Sequence, residues 1–149
     1  MSARTYRTIL KPYHTELFAF IKQNTDAHIF FHTCGSVYRL LPDLLTAGVE
    51  ILNPVQVSVR DMDTRVLKAE FGDRLSFWGA IDTQHVLPHG TPEDVRHEVE
   101  RRIADLGPRG GYVVAPVHNA QADVPVENIL TMYRHARKVG QYPLQCMRE

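Results

Sequence analysis

A histidine and a cysteine two residues apart, His32 and Cys34, end the apolar run Ile29-Phe30-Phe31, and Gly35 closes the segment. In an extended chain residues i and i+2 project to the same side, so an imidazole nitrogen and a thiolate sulfur are offered to one point in space. That is half of a soft-metal site of the kind zinc accepts. The plainer reading of the pair is a histidine hydrogen-bonded at a strand end beside an inert, buried cysteine. Three further strand-like runs end in polar residues: Asn53 and Gln56 after one, Asp82 and Gln84 after another, His118 and Asn119 after the last. Asp82 has the chemistry of a general acid, or of a carboxylate that orients a ligand histidine, although an aspartate after a strand also caps the following turn. Asn53, Gln56, Gln84 and Asn119 are amides able to hydrogen-bond a substrate at the mouth of a site, and Asn53 and Gln56 could equally satisfy loop backbone. His85 and His89 read as solvated loop residues, and Trp78 reads as core.

The elements that must hold these residues alternate along the chain. Ser2 is a cap for a first helix, and after Pro12 the residues Leu17, Phe18, Phe20 and Ile21 continue its apolar face to about Asn24. Short β-rich runs follow at residues 27–32, 49–52, 75–78 and 112–115. Between them, Ser36 is a candidate cap for a helix broken at Pro42, and Asn53-Pro54-Val55-Gln56 reads as a proline-set polar turn. Asp63 is a candidate cap for residues 64–71, with Val66, Leu67 and Phe71 on one face. Thr91-Pro92-Glu93-Asp94 combines a threonine cap, a proline in the first turn and early acids, and Val95, Val99, Ile103 and Leu106 then recur at helical spacing up to Gly107-Pro108. Pro125 opens a last helix with Ile129, Met132, Tyr133, Ala136 and Val139 apolar, ended by Gly140. One helix followed by four βα units predicts an α/β fold with a parallel sheet. In both the doubly wound sheet and the barrel, function collects at the strand C-termini, where the polar residues above all fall.

Composition narrows the partners. Seventeen basic residues balance seventeen acidic ones with no long run of either sign, which gives no electrostatic footprint for nucleic acid or an anionic membrane. No stretch has the length and apolarity of a membrane span or the apolar core of a signal peptide, so the expectation is a cytoplasmic protein without membrane contact. Two cysteines, Cys34 and Cys146, are too few for a disulfide framework. One domain is expected over residues 1–140, with a tail at 141–149.

Several motifs, in order, resemble the uroporphyrinogen decarboxylase superfamily: His32-Thr33-Cys34-Gly35-Ser36; Ala47-Gly48-Val49-Glu50-Ile51-Leu52-Asn53-Pro54-Val55-Gln56; residues 71–84, Phe71-Gly72-Asp73 through Ile81-Asp82-Thr83-Gln84; Gly90-Thr91-Pro92-Glu93-Asp94-Val95; and Ala115-Pro116-Val117-His118-Asn119 with Asp123-Val124-Pro125. The superfamily is built on a (β/α)₈ barrel and includes the haem-pathway decarboxylase and zinc-dependent methyltransferases that work with corrinoid proteins. The resemblance implies the C-terminal half of such a barrel, since a whole one takes about 250 residues. In the methyltransferase branch it implies a metal site of His32 and Cys34 with His118 at a position where that branch has a cysteine, zinc as cofactor, a small-molecule thiol as substrate and a partner-bound corrinoid. In the decarboxylase branch it implies no metal, a tetrapyrrole substrate, and His118 in substrate contact or proton transfer, with Asp82 as a further candidate. A half-barrel implies a homodimer, pairing with a separate N-terminal half-barrel chain, or a non-catalytic remnant.

Overall fold

The computed structural model describes residues 2–144, so Cys146 and the end of the tail lie outside the described residues. Four strands, β1 (Phe30–His32), β2 (Ile51–Val55), β3 (Ser76–Ile81) and β4 (Tyr112–Pro116), form one parallel sheet in the order β1-β2-β3-β4. Helix α1 (Ala3–Thr5), a π-helical stretch (Tyr6–Leu10) and α2 (Lys11–Asn24) lead into β1. A 3-10 turn (Tyr38–Leu40) and α3 (Leu41–Ala47) join β1 to β2, α4 (Thr64–Phe71) joins β2 to β3, α5 (Val86–His89) and α6 (Pro92–Leu106) join β3 to β4, and α7 (Val126–Val139) follows. A sheet whose spatial order equals its chain order, with helical crossovers throughout, is a partial (β/α)₈ barrel. No helix among the described residues is long and apolar enough to cross a membrane.

Local chemistry sets the boundaries. The Ser2 hydroxyl accepts from the Thr5 amide, Asp63 accepts from the Arg65 and Val66 amides, and Thr91 with Asp94 forms a reciprocal capping box ahead of α6. Ser36 caps nothing: α3 is entered through the 3-10 turn, with Pro42 in its first turn, where a missing N–H costs nothing. In α4 the buried side is Thr64, Leu67, Lys68 and Phe71, while Val66 is exposed, because it lies about 100° around the helix from Leu67. β1 starts only at Phe30, since the Ile29 amide is taken by the Glu50 carboxylate at 2.8 Å. β2 runs through Asn53-Pro54 instead of ending in a turn there. Its register with β3 slips between the pairs Leu52–Phe77 and Val55–Gly79, a bulge that admits a proline with no N–H to give. β3 meets the bulge with left-handed backbone at Gly79 (φ 110°) and Ala80 (φ 73°).

Leu41, Leu44, Leu52, Val55, Leu67, Phe77 and Leu106 belong to one buried cluster, and Ile81, Leu87, Val95, Val99, Ile103 and Met132 to a second. Polar fasteners hold the layers. Asp43 on α3 binds Arg7 Nε at 2.7 Å and Lys11 Nζ at 2.9 Å, hydrogen bonds that hold its carboxyl below the usual carboxylate range, Lys11 contributing most. Asn128 on α7 donates to the carbonyls of Leu87 and Gly90 at 2.9 and 2.8 Å. The sheet is covered on one face. Phe31, Leu52, Phe77 and Tyr112, aligned across the strands, pack into the first cluster. On the opposite face Phe30 is 46% exposed and Val113 is 40% exposed, and Phe30 meets the half-buried Trp78 edge-on at 5.3 Å.

Two predictions follow from this packing. A Cβ at Gly79 would sit 3.3 Å from both Pro54 Cβ and the Val55 amide nitrogen, on left-handed backbone. Gly79→Ala is expected to cost about 1–3 kcal/mol, read as a lowered urea midpoint at unchanged m-value. Glu50 accepts from His28, from the Ile29 amide and from Lys22, in that order of influence, and its carboxyl is held at about 2 instead of 4.5. A depressed carboxylate stabilises the fold fully above about pH 4.5 and loses that contribution as pH falls toward about 2. Thermal melts should therefore show Glu50→Gln clearly below wild type at neutral pH, with the gap closing across that acid window.

Candidate active site at the strand C-termini

The parallel strands deliver their last residues to one end of the sheet. His32 closes β1 in register with Asn53, and the Asn53 side-chain oxygen lies 2.6 Å from His32 Nδ1. An amide oxygen can only accept, so Nδ1 carries the proton and Nε2 the lone pair. That lone-pair nitrogen is 3.6 Å from Cys34 Sγ. The Asn53 backbone oxygen accepts from the Thr33 amide at 2.7 Å, and the Gln56 side-chain oxygen accepts from the Gly35 amide at 2.7 Å. The end of β2 thus grips the segment after β1 at three points around Cys34. Both His32 and Cys34 are exposed, so the cysteine is not inert filler.

A cleft of about 590 Å³ opens beside them, lined by His32, Asn53, Trp78, residues 115–120 of the β4 end, and Ile129 and Tyr133 of α7. His118 faces His32 across it, with ring centroids 6.4 Å apart and planes inclined at 77°. Asn119 lines the same wall, its carbonyl accepting from Gln121 at 3.1 Å. Asp82 and Gln84 are not among the lining residues. Asp82 is buried and accepts from the Gln84 and His85 amides at 2.6 and 3.1 Å, with its other oxygen 3.0 Å from His85 Nδ1. Both of its oxygens are engaged in shaping the turn. Trp78, read from the sequence as core, instead forms the cleft floor on the open face of the sheet. Ile129 and Tyr133 join the site from a helix whose apolar spacing pointed only to packing.

The donor set can be tested against zinc. Nitrogen and sulfur ligands on one tetrahedral ion lie about 3.6 Å apart, given bonds of roughly 2.0 and 2.3 Å. The His32–Cys34 pair already has that spacing. Two imidazoles on one such ion have centroids about 5 Å apart. His118 is therefore roughly 1 Å too distant at the observed 6.4 Å, although it is an exposed side chain free to rotate. Among the described residues no three His, Cys, Asp or Glu side chains are already close enough together to hold a metal. The pair fits zinc; the third position needs a movement.

Comparison with known proteins places this architecture. The chain is similar to a methylated-thiol–coenzyme M methyltransferase of Methanosarcina mazei, 25% identical over 138 residues that make up 93% of this chain and 34% of that protein. It is similar to a uroporphyrinogen decarboxylase of Psychromonas ingrahamii, 36% identical over 67 residues, 45% of this chain and 18% of that one. Among solved structures, a methyltransferase from Methanosarcina mazei superposes with a TM-score of 0.74 at 20% identity, covering 93% of this chain and 38% of that one, a likeness of fold. The chain spans about a third of the length of the methyltransferases it matches. The sequence model of the uroporphyrinogen decarboxylase (URO-D) family matches residues 1–139, through all four strand ends and the helices that carry them, and the chain belongs to that family.

Proposed function

We propose that this chain supplies the metal-binding wall of a methyl-transfer site that acts on a thiol. The observation that carries the reading is the convergence of His32 Nε2 and Cys34 Sγ at 3.6 Å, with the imidazole tautomer set from behind by Asn53. His32 and Cys34 would hold zinc, with His118 as third ligand and one position left for substrate, the open arrangement of catalytic sites. Bound zinc supplies Lewis acidity that brings a thiol to its nucleophilic thiolate near neutral pH. The protein's own groups do the rest. Asn53 fixes the orientation of His32, Gln56 fixes the loop that carries Cys34, and Trp78 and Tyr133 supply aromatic surface to the cleft. The methyl group would come from a corrinoid held by a partner protein, and the open sheet face calls for a second half-barrel, from another domain or chain, to complete the mouth. Metal-independent decarboxylation of a tetrapyrrole would use His118 in the same cleft, but it leaves the paired Cys34 without a role.

Two measurements test this reading. Protein purified without a histidine tag and titrated with zinc should hold about one equivalent per chain, and cobalt substitution should give a thiolate-to-metal charge-transfer band. Cys34→Ala should abolish that band and His118→Ala should weaken metal affinity at least tenfold; a chain that takes up no zinc overturns the proposal. Asn53→Leu removes the acceptor behind His32 and should lower metal affinity by about 10–100-fold, while Asn53→Asp, which keeps an acceptor, should not. Nitrogen-15 spectra of the His32 ring in the metal-free protein should show the Nδ1-protonated tautomer in wild type and in Asn53→Asp, and a mixture in Asn53→Leu.

A further inference from the structure

Lysine is rarely buried unless an acid is paired with it. Lys68 is an exception. It lies on the buried side of α4, only 7% exposed, and its ammonium donates to the Gly110 carbonyl at 2.6 Å, in the turn ahead of β4. Among the described residues that carbonyl is its one hydrogen-bond partner, and no carboxylate is paired with it. An ammonium carries three N–H donors, so two are left uncommitted. Burial lowers the Lys68 pKa, the neighbouring Arg109 lowers it further, and Asp73 opposes them less strongly.

The turn that Lys68 reaches has the backbone of a cradle. Arg109, Gly110 and Gly111 are left-handed in succession, with φ of 64, 80 and 73°. A Cβ on Gly111 would stand 3.6 Å from Ser76 Oγ and 3.9 Å from Lys68 Nζ and would meet nothing closer, so a notch lies over this glycine with a hydroxyl and an ammonium at its sides. Gly111 is exposed, which opens the notch to solvent, and Arg109 is exposed beside it, ion-paired with Asp73 at 3.1 Å. Ser76 begins β3 and Gly111 immediately precedes β4, so the notch lies at the opposite end of the strands from the His32–Cys34 cleft.

We propose that the notch over Gly111 binds a phosphate-like oxyanion, held by Lys68 Nζ, Ser76 Oγ and the Arg109 guanidinium. The anion is the counter-charge that Lys68 lacks, the hydroxyl is a neutral donor, and backbone in such turns forms anion-binding concavities. Asp73 is the competitor for Arg109, but an ion pair so exposed is weak enough for a dianion to draw the guanidinium away. Gly111 is then required twice, by its left-handed backbone and by the space that a side chain would fill. The site shares no residue with the cleft and stands apart from whether zinc binds.

Inorganic phosphate titrated into the metal-free 149-residue chain, against chloride at matched ionic strength, should shift the Gly111 amide resonance saturably. The Lys68 side-chain resonances should titrate at higher pH in phosphate than in chloride, because an adjacent anion favours the ammonium over the amine. Ser76→Ala and Arg109→Ala should each weaken binding about tenfold with unchanged circular dichroism, and Lys68→Met should abolish it. Methyl phosphate separates two sources of the group: equal affinity supports a phosphoryl group borne by a larger molecule, and a marked loss supports the free ion. Absence of a saturable shift, a shift that chloride reproduces, or one that survives in Lys68→Met overturns the proposal and leaves Lys68 as a staple between α4 and the turn before β4. Should Lys68→Met fold poorly, binding indifferent to both Ser76→Ala and Arg109→Ala overturns it equally.

Discussion

A parallel sheet is stable when both of its faces are dry, because βα crossovers lay helices on the outside and something must fill the inside. Here α2, α3, α4 and α6 cover the outer face, where Leu52 and Phe77 are fully buried, while Phe30 and Val113 on the other face are nearly half exposed. This imbalance governs the rest of the molecule. It places the candidate site at the rim of an unfilled concavity, and it leaves apolar residues exposed on the two flanking helices. The same residues that look like surface defects in one chain are those a barrel needs inside.

Within that wall the second strand positions the chemistry of the first. Asn53 and Gln56 spend their side chains on His32 and on the Gly35 amide, and the Asn53 carbonyl takes the Thr33 amide, so the His-x-Cys segment is fixed from its neighbour and not by its own loop. The bulge at Pro54, accommodated by Gly79, is what lets β2 continue far enough to do this. A residue type on β3 with no bearing on chemistry thereby helps to place the amide that binds His32, the candidate ligand on β1.

The sequence was legible where a local rule has no competitor. The capping box at Thr91, the Asp63 cap and the strict alternation of β and α all held, and alternation alone put the His32–Cys34 pair at the active end of a parallel sheet. Reading failed where a long-range contact overrode the local signal. Pro54 looked like a turn because nothing near it in sequence announces that Gly79 will open a bulge for it. Ser36 looked like a cap, and Trp78 looked like core because a barrel interior is as apolar as an exterior packing face. Asn53 and Gln56 could be named as polar groups at the mouth, but their partners lie 21 residues away, at the end of β1 and in the loop that follows it.

The left-handed pair Gly79 and Ala80 also divides the core. Ala80 belongs to the first hydrophobic cluster and the next residue, Ile81, to the second, so β3 hands its side chains from one to the other within a single peptide unit. With the Tyr112 hydroxyl bonded to the Gly79 carbonyl at 3.0 Å, and Tyr112 packed against both clusters, this crossing is a joint through which the two halves of the wall sense each other. A second link runs through α6, whose Leu106 lies in the first cluster and Ile103 in the second and whose Asp105 and Arg102 bind Thr64 of α4, so the two sides would open as separate units, each with its own protection against hydrogen exchange, only where both links are loosened.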